Sequence, residues 1–204
     1  MHLVPTQEEV IELLRQTGAL RQGHFVYPNG IHANQYLQVA LAMRYYQNAK
    51  TLSVGLSRLL RAHTEIRAAV PELSIVTPAT GGLPVAFGVC EALRAHRVYW
   101  AEAEEGSSEL RFRQYLEQVP GEKVVLVDDI LRTGRKLGEL KALLEANGAE
   151  VMALAVVVYQ PTPKTPDFSP LPLYYLARME ATYYADAASC ELCQRGVPYE
   201  PVRI

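Results

Sequence analysis

Apolar residues recur along this chain in two rhythms. Val10, Leu13 and Leu14 fall on one face of a helical period. Thr6-Gln7-Glu8-Glu9 before them is a capping box, in which the Thr6 hydroxyl and the Glu9 carboxylate satisfy orphan N–H groups. Leu52, Leu56, Leu59 and Leu60 give a similar stripe over residues 47–62, and Leu83 to Leu93 reads as a further helix. Leu137, Leu140, Leu143 and Leu144 mark another, ending at Asn147-Gly148. Between these lie short unbroken apolar runs: Ser74-Ile75-Val76, Val98-Tyr99-Trp100-Ala101, Val124 to Val127 and Val151 to Val158. They read as buried strands, the last covered on both faces. Leu173 to Leu176 is expected at a sheet edge. Strands alternating with helices predict an α/β fold, a mostly parallel doubly wound sheet flanked by helices. Gly18 stops the first helix. Gly23 and Pro28-Asn29-Gly30 then punctuate short strands around a turn. Residues 1–45 are expected to form a small N-terminal hood within a single domain of residues 1–204, and the proline-rich residues 160–172 a loop.

Composition narrows the function classes. With 204 residues, 49% of them hydrophobic, there is ample material for one core. A net charge of −2 gives no general pull toward nucleic acid or an anionic membrane. No apolar run reaches the length of a membrane span. Met1-His2-Leu3-Val4-Pro5 lacks a basic segment followed by an apolar core, so no signal peptide is expected and the location is expected to be cytoplasmic. Three cysteines argue against a disulfide framework. Cys190-Glu191-Leu192-Cys193 has the spacing of half a zinc site, but the chain holds no second such pair, and a local C-terminal feature is expected instead.

The candidate chemistry lies at two strand-to-helix junctions. After Val124–Val127 come Asp128-Asp129-Ile130-Leu131-Arg132-Thr133-Gly134-Arg135-Lys136, and a helix is expected from Leu137. Open parallel sheets bind ligands beyond the carboxyl ends of their strands. A loop entering a helix offers unpaired N–H groups and a positive dipole end, which suit a phosphate. Adjacent carboxylates can accept hydrogen bonds from sugar hydroxyls and favour a nearby Mg²⁺. The array suits a sugar phosphate. Thr77-Pro78-Ala79-Thr80-Gly81-Gly82 repeats the strand, Gly-rich turn, helix order and reads as a second anion cradle.

The first junction resembles the phosphoribosyl pyrophosphate motif of the type I phosphoribosyltransferases. The resemblance implies that Asp128 and Asp129 hold ribose hydroxyls and Mg²⁺, and that Arg132, Thr133, Gly134, Arg135 and Lys136 form the 5-phosphate loop. Ala79, Thr80, Gly81 and Gly82 resemble the family's pyrophosphate loop. The segment from Thr17 to Phe25, with Asn29-Gly30-Ile31-His32 and Tyr36-Leu37-Gln38, resembles the N-terminal region of orotate phosphoribosyltransferases. The tail from Cys190 to Pro198 resembles their Cys-x-x-Cys-x-x-Gly-x-Pro ending. By this resemblance the substrates are phosphoribosyl pyrophosphate and a nitrogenous base, orotate favoured, and the chain is a homodimer with no nucleic-acid or membrane partner. Phe25, Tyr36 and Gln160 are candidate base-binding residues. A mobile loop near residues 103–113 is expected to bring cations to the pyrophosphate.

Three positions depart from the family pattern. Ala103 replaces a basic loop residue, Pro28 a hood cation, and Tyr159-Gln160-Pro161 stands where an Asp-Arg pair carries the arginine for the orotate carboxylate. Arg111 and Arg113 are candidate catalytic substitutes. The losses share a direction, so a non-catalytic protein that binds phosphoribosyl pyrophosphate or a nucleotide is the alternative reading.

Overall fold

The computed structural model describes residues 4–104, 109–112, 116 and 119–202. Helix α1 (Gln7–Gln16) leads into a hairpin of β1 (Leu20–Val26) and β2 (His32–Leu37). Helices α2 (Ala40–Met43), α3 (Tyr46–Ala62) and α4 (Thr64–Ala69) follow. The central run is β3 (Ser74–Pro78), α5 (Leu83–Leu93), β4 (Arg97–Ala103), β5 (Leu110–Arg111), β6 (Lys123–Leu131), α6 (Arg135–Ala146) and β7 (Glu150–Tyr159). The chain ends with β8 (Leu173–Arg178), β9 (Tyr183–Tyr184), α7 (Glu191–Gln194) and β10 (Glu200–Pro201).

The main sheet runs β5-β4-β3-β6-β7-β8, parallel except for β5. This is the expected α/β fold. Side chains along β6 alternate between two cores. Val125 and Val127 join the larger one with Leu52, Leu56 and Val89, while Val124 and Leu126 join Leu137, Leu140 and Leu144 of α6. Both faces of the strand are covered, as its unbroken apolar run requires. Among the described residues no helix is long and apolar enough to cross a membrane.

A second sheet, β10-β1-β2-β9, joins the N-terminal hairpin to two strands from the C-terminal end. The α1 capping box forms as expected: Glu9 N donates to Thr6 Oγ1 at 3.2 Å, and Thr6 N to Glu9 Oε2 at 2.8 Å.

Two boundaries differ from the sequence expectation where it matters. Strand β6 continues through Asp128 and Asp129 to Leu131, and α6 begins at Arg135, before Leu137. Asp128 sits opposite Val156 and Ile130 opposite Val158. The long apolar neighbour β7 supplies ladder partners, and tertiary pairing overrides the poor strand propensity of aspartate.

Candidate active site

Strand order places the site. From β3 the chain moves outward to β4, then returns to lay β6 on the other side of β3. The loops after β3 and β6 therefore diverge at a topological switch point, where open α/β sheets bind their ligands. A cleft of about 420 Å³ opens there, lined by Leu37, Gln38, Pro78, Ala79, Gly81, Asp128, Asp129, Ile130, Arg132 and Lys136.

Glycine lets the two loops approach. A Cβ on Gly81 would lie 3.0 Å from Asp129 Oδ2, and one on Gly82 would lie 2.0 Å from Thr77 Oγ1 and 2.7 Å from Asp128 Oδ1. Both carboxylates thus occupy the space that side chains would fill. Asp128 Oδ1 accepts from Asp129 N at 2.9 Å. Burial, then the charge of Asp129, pushes the Asp128 carboxyl well above the ordinary carboxylate range. Burial also raises Asp129, opposed in part by the Arg132 guanidinium.

Beyond β6 the loop turns at Gly134, whose φ of +71° is the left-handed conformation glycine adopts without strain. Helix α6 has no side-chain cap, and its first turn borders a pocket of about 200 Å³ lined by residues Asp128 and Ile130 to Leu137. This suits a phosphate. Thr133 and Arg135 are exposed there, with Arg135 Nη1 3.2 Å from Glu139 Oε1. Lys136 Nζ reaches across to donate to the Ala79 carbonyl at 3.2 Å, tying the two loops together. Thr80 is exposed at the turn. The proline-rich segment supports the phosphate loop from behind: Thr165 Oγ1 donates to the Arg132 carbonyl, and a Cβ on Gly134 would meet Pro166 at 2.8 Å.

Other expected site residues lie elsewhere or act at one remove. Phe25 is buried in the second sheet, its ring 5.8 Å from that of Tyr36, with the Arg21 guanidinium over both. Tyr36 faces a separate cavity with Arg21 and Glu200 and meets the cleft only through its hydroxyl, which donates to Gln38 Oε1. Gln160 is fully buried, so its side chain orients its neighbours: its Oε1 accepts from Arg132 Nε and from the Tyr183 hydroxyl, both at 2.9 Å. Arg111 is on the outer edge of the sheet, paired with Glu104 at 2.7 Å on exposed side chains. Arg113 lies outside the described residues. Sequence reasoning gave no role at the site to Leu37, Gln38 or Tyr183. Leu37 and Gln38 directly follow Tyr36, which signalled this segment, but nothing local marks Tyr183.

The β3-to-β7 portion carries the recognisable pattern. A model of the phosphoribosyl transferase domain matches residues 62–170, more than half of the chain. Orotate phosphoribosyltransferase from Thermotoga maritima is 31% identical over 189 residues, 93% of this chain and 94% of that protein. The enzyme of the same name from Carboxydothermus hydrogenoformans is 33% identical over 190 residues, again 93% and 94% of the two chains. The chain belongs to the orotate phosphoribosyltransferase family. Orotate phosphoribosyltransferase from Aeropyrum pernix shares the fold, with a TM-score of 0.63 at 21% identity over 83% of this chain and 93% of that one. In this phosphoribosyltransferase the matched region spans both loops of the cleft. The second sheet falls wholly outside it, in the part of the chain that only the full-length relatives cover.

Proposed function

We propose that this phosphoribosyltransferase moves 5-phosphoribose from phosphoribosyl pyrophosphate to orotate, forming orotidine 5'-phosphate. As the base nitrogen bonds to C1 of the ribose, the C1–O bond breaks and its electron pair leaves with pyrophosphate. The α6 N-terminus and the Thr133–Lys136 loop receive the 5-phosphate. Asp128 and Asp129 accept hydrogen bonds from the ribose hydroxyls. The Ala79–Gly82 loop and Lys136 meet the pyrophosphate.

A Mg²⁺ ion fits this donor set. Mg²⁺ takes one or two carboxylates together with substrate phosphates, and burial holds both aspartates above their ordinary range, so a cation beside them would restore the ionised forms. Asp128 and Asp129 would hold it, and it would neutralise charge growing on the departing pyrophosphate.

One observation carries the choice of an anionic base. The resemblance calls for an Asp-Arg pair after the late strand, where this chain has Tyr159-Gln160-Pro161, with the missing cation at Pro161, one residue beyond that glutamine. The structure puts Arg132 beside that glutamine, with Nε donating to Gln160 Oε1 at 2.9 Å. Arg132 also lines the cleft, and among the described residues its buried Nη2 has no hydrogen-bond partner. An arginine that lines the cleft and is oriented by a buried amide suits a carboxylate. Burying an unpaired orotate carboxylate would otherwise be costly. The cation missing after β7 is thus supplied by the loop after β6.

Replacing Arg132 by methionine tests this. Losing a hydrogen bond to a charged group costs about 1.5–3 kcal/mol, so kcat/KM for orotate should fall roughly 10–150-fold while that for uracil stays within a few-fold. Equal losses for both bases would place Arg132 on the phosphoribose side. Phosphoribosyl pyrophosphate bound without turnover of any base would favour the non-catalytic alternative.

A further inference from the structure

Cys190 and Cys193 do have a second pair of ligands, and it comes from the other end of the chain. His24 on β1 and His32 at the start of β2 lie beside them, and one ligand atom from each of the four residues falls within 4.8 Å of all the others. Among the described residues this is the group of three or more His, Cys, Asp or Glu side chains arranged to hold a metal. We propose that these residues form a structural Zn²⁺ site that fastens the N-terminal hairpin to the C-terminal segment.

Three of the separations match the edges of a small tetrahedron. With Zn–N near 2.05 Å and Zn–S near 2.3 Å, tetrahedral edges are about 3.4 Å for N–N, about 3.6 Å for N–S and about 3.8 Å for S–S. His24 Nε2 lies 3.6 Å from Cys190 Sγ and 3.7 Å from Cys193 Sγ, and His32 Nδ1 lies 3.4 Å from Cys193 Sγ. The two ring nitrogens are 2.8 Å apart, shorter than the edge by about half an ångström, so small side-chain rotations complete the geometry. Two thiolates and two imidazoles in tetrahedral array favour Zn²⁺ over harder cations.

Backbone contacts aim the ligands. His24 Nδ1 lies 2.8 Å from the Val197 carbonyl, which can only accept, so Nδ1 carries the proton and the Nε2 lone pair points at the cysteines. Such an outer hydrogen bond is what orients a metal-bound histidine. Cys190 caps the single turn of α7, and Gly196 at φ +67° turns the chain so that Val197 can meet His24. His24 is 4% exposed, His32 6% and Cys190 0%, and Cys193 is half-buried, so three of the four ligands are shielded from solvent. The Tyr199 ring lies alongside, 5.8 Å from His24 and 6.3 Å from His32. None of the four ligands lines the cleft between β3 and β6, so the site is separate from the transfer chemistry.

The consequence is a cross-link between distant segments. His24 and Cys190 are 166 residues apart. Locally, β1 pairs with β10 over Phe25↔Glu200 and Val26↔Pro201 alone, a short ladder for an edge strand. A metal that binds only the folded arrangement stabilises it by its binding free energy.

The test uses the full-length protein, untagged and purified under reducing conditions. Elemental analysis should find one Zn²⁺ per chain, retained in Asp128→Asn/Asp129→Asn and lost in Cys190→Ser/Cys193→Ser. Exchange for Co²⁺ should give thiolate-to-cobalt charge-transfer absorption with the strong visible bands of a tetrahedral site. Stripping the metal with a chelator should lower Tm. The cobalt spectrum is read on the native chain, so it decides the matter even where the cysteine variant fails to fold. A reduced native protein that takes up neither Zn²⁺ nor Co²⁺ would overturn the proposal. So would bound metal that survives loss of both thiols, or a cobalt spectrum without a thiolate band.

Discussion

Replacing Asp128 and Asp129 together by asparagine is expected to lower kcat/KM for phosphoribosyl transfer by roughly 10²–10⁴, since two charge-assisted hydrogen bonds are worth about 3–6 kcal/mol. The fold should survive, and at neutral pH the metal-free variant should melt no lower than the parent. Burial raises both carboxyls above 3.8 in the folded chain. A group with a raised folded pKa contributes stability that is fully present below its unfolded pKa and is lost as pH rises through the folded one. The parent should therefore lose stability as pH climbs from about 4 toward neutrality, and asparagine should remove that slope. Mg²⁺ with phosphoribosyl pyrophosphate should raise Tm of the parent and leave the variant unmoved. Thermal melts across pH, alongside initial rates, check each part. A variant that kept near-parental kcat/KM would remove the aspartates from the ribose site.

Gly82→Ala should have the second-largest effect. Its Cβ would sit 2.0 Å from Thr77 Oγ1, 2.7 Å from Asp128 Oδ1 and 3.2 Å from Asp128 Cα. Thr77 and Asp128 are both buried, so neither can swing clear into solvent. Overpacking of this kind costs about 1–3 kcal/mol, or about 2–12 °C in Tm for a chain of this size. Displacing Asp128 by about an ångström should also cost roughly 100-fold in rate. Gly138 provides the control: a Cβ there, in α6, meets nothing within 4 Å. Gly138→Ala should stabilise the helix by about 0.5–1 kcal/mol and leave kcat unchanged. Equal behaviour of the two alanine variants in melts and rates would contradict the close loop approach described here.

These two sites were legible in the sequence because their signals are local. Four apolar residues ahead of Asp128, and Gly81-Gly82 ahead of a helix, announce strand-to-helix junctions at the carboxyl ends of strands. Leu83 to Leu93 appears as α5 with the same bounds, because a mostly apolar helix with one buried side has little ambiguity. The extension of β6 through its acids was not legible, since it depends on β7 offering partners as far as Tyr159. Helices α2 and α4, of four and six residues, are too short to show a period. What escaped most fully was pairing across long separations. Gln160 looked like a base contact until the fold placed Arg132 and Tyr183 on its carbonyl oxygen. Cys190 and Cys193 looked like half a site because the other half is two histidines near the start of the chain. Phe25 and Tyr36 were drawn toward the base by family likeness, while the β1–β2 ladder turns them onto Arg21.

The cations expected on the loop near residue 103 bear on rate. Glu104 engages Arg111 as an exposed pair, worth well under about 1 kcal/mol. That pair therefore holds Arg111 only weakly, and the cation set at the cleft is Lys136, which bridges to the Ala79 carbonyl between the two loops.

The central claim is that the Asp128–Lys136 strand end and loop, the Ala79–Gly82 turn and Arg132 together transfer phosphoribose to an anionic base. Its most direct test is to mix the purified protein with Mg²⁺, phosphoribosyl pyrophosphate and orotate, and to follow pyrophosphate and orotidine 5'-phosphate together. Equimolar formation of both, dependent on orotate, is expected. Binding of phosphoribosyl pyrophosphate with no pyrophosphate released in the presence of orotate, uracil or a purine base would contradict it.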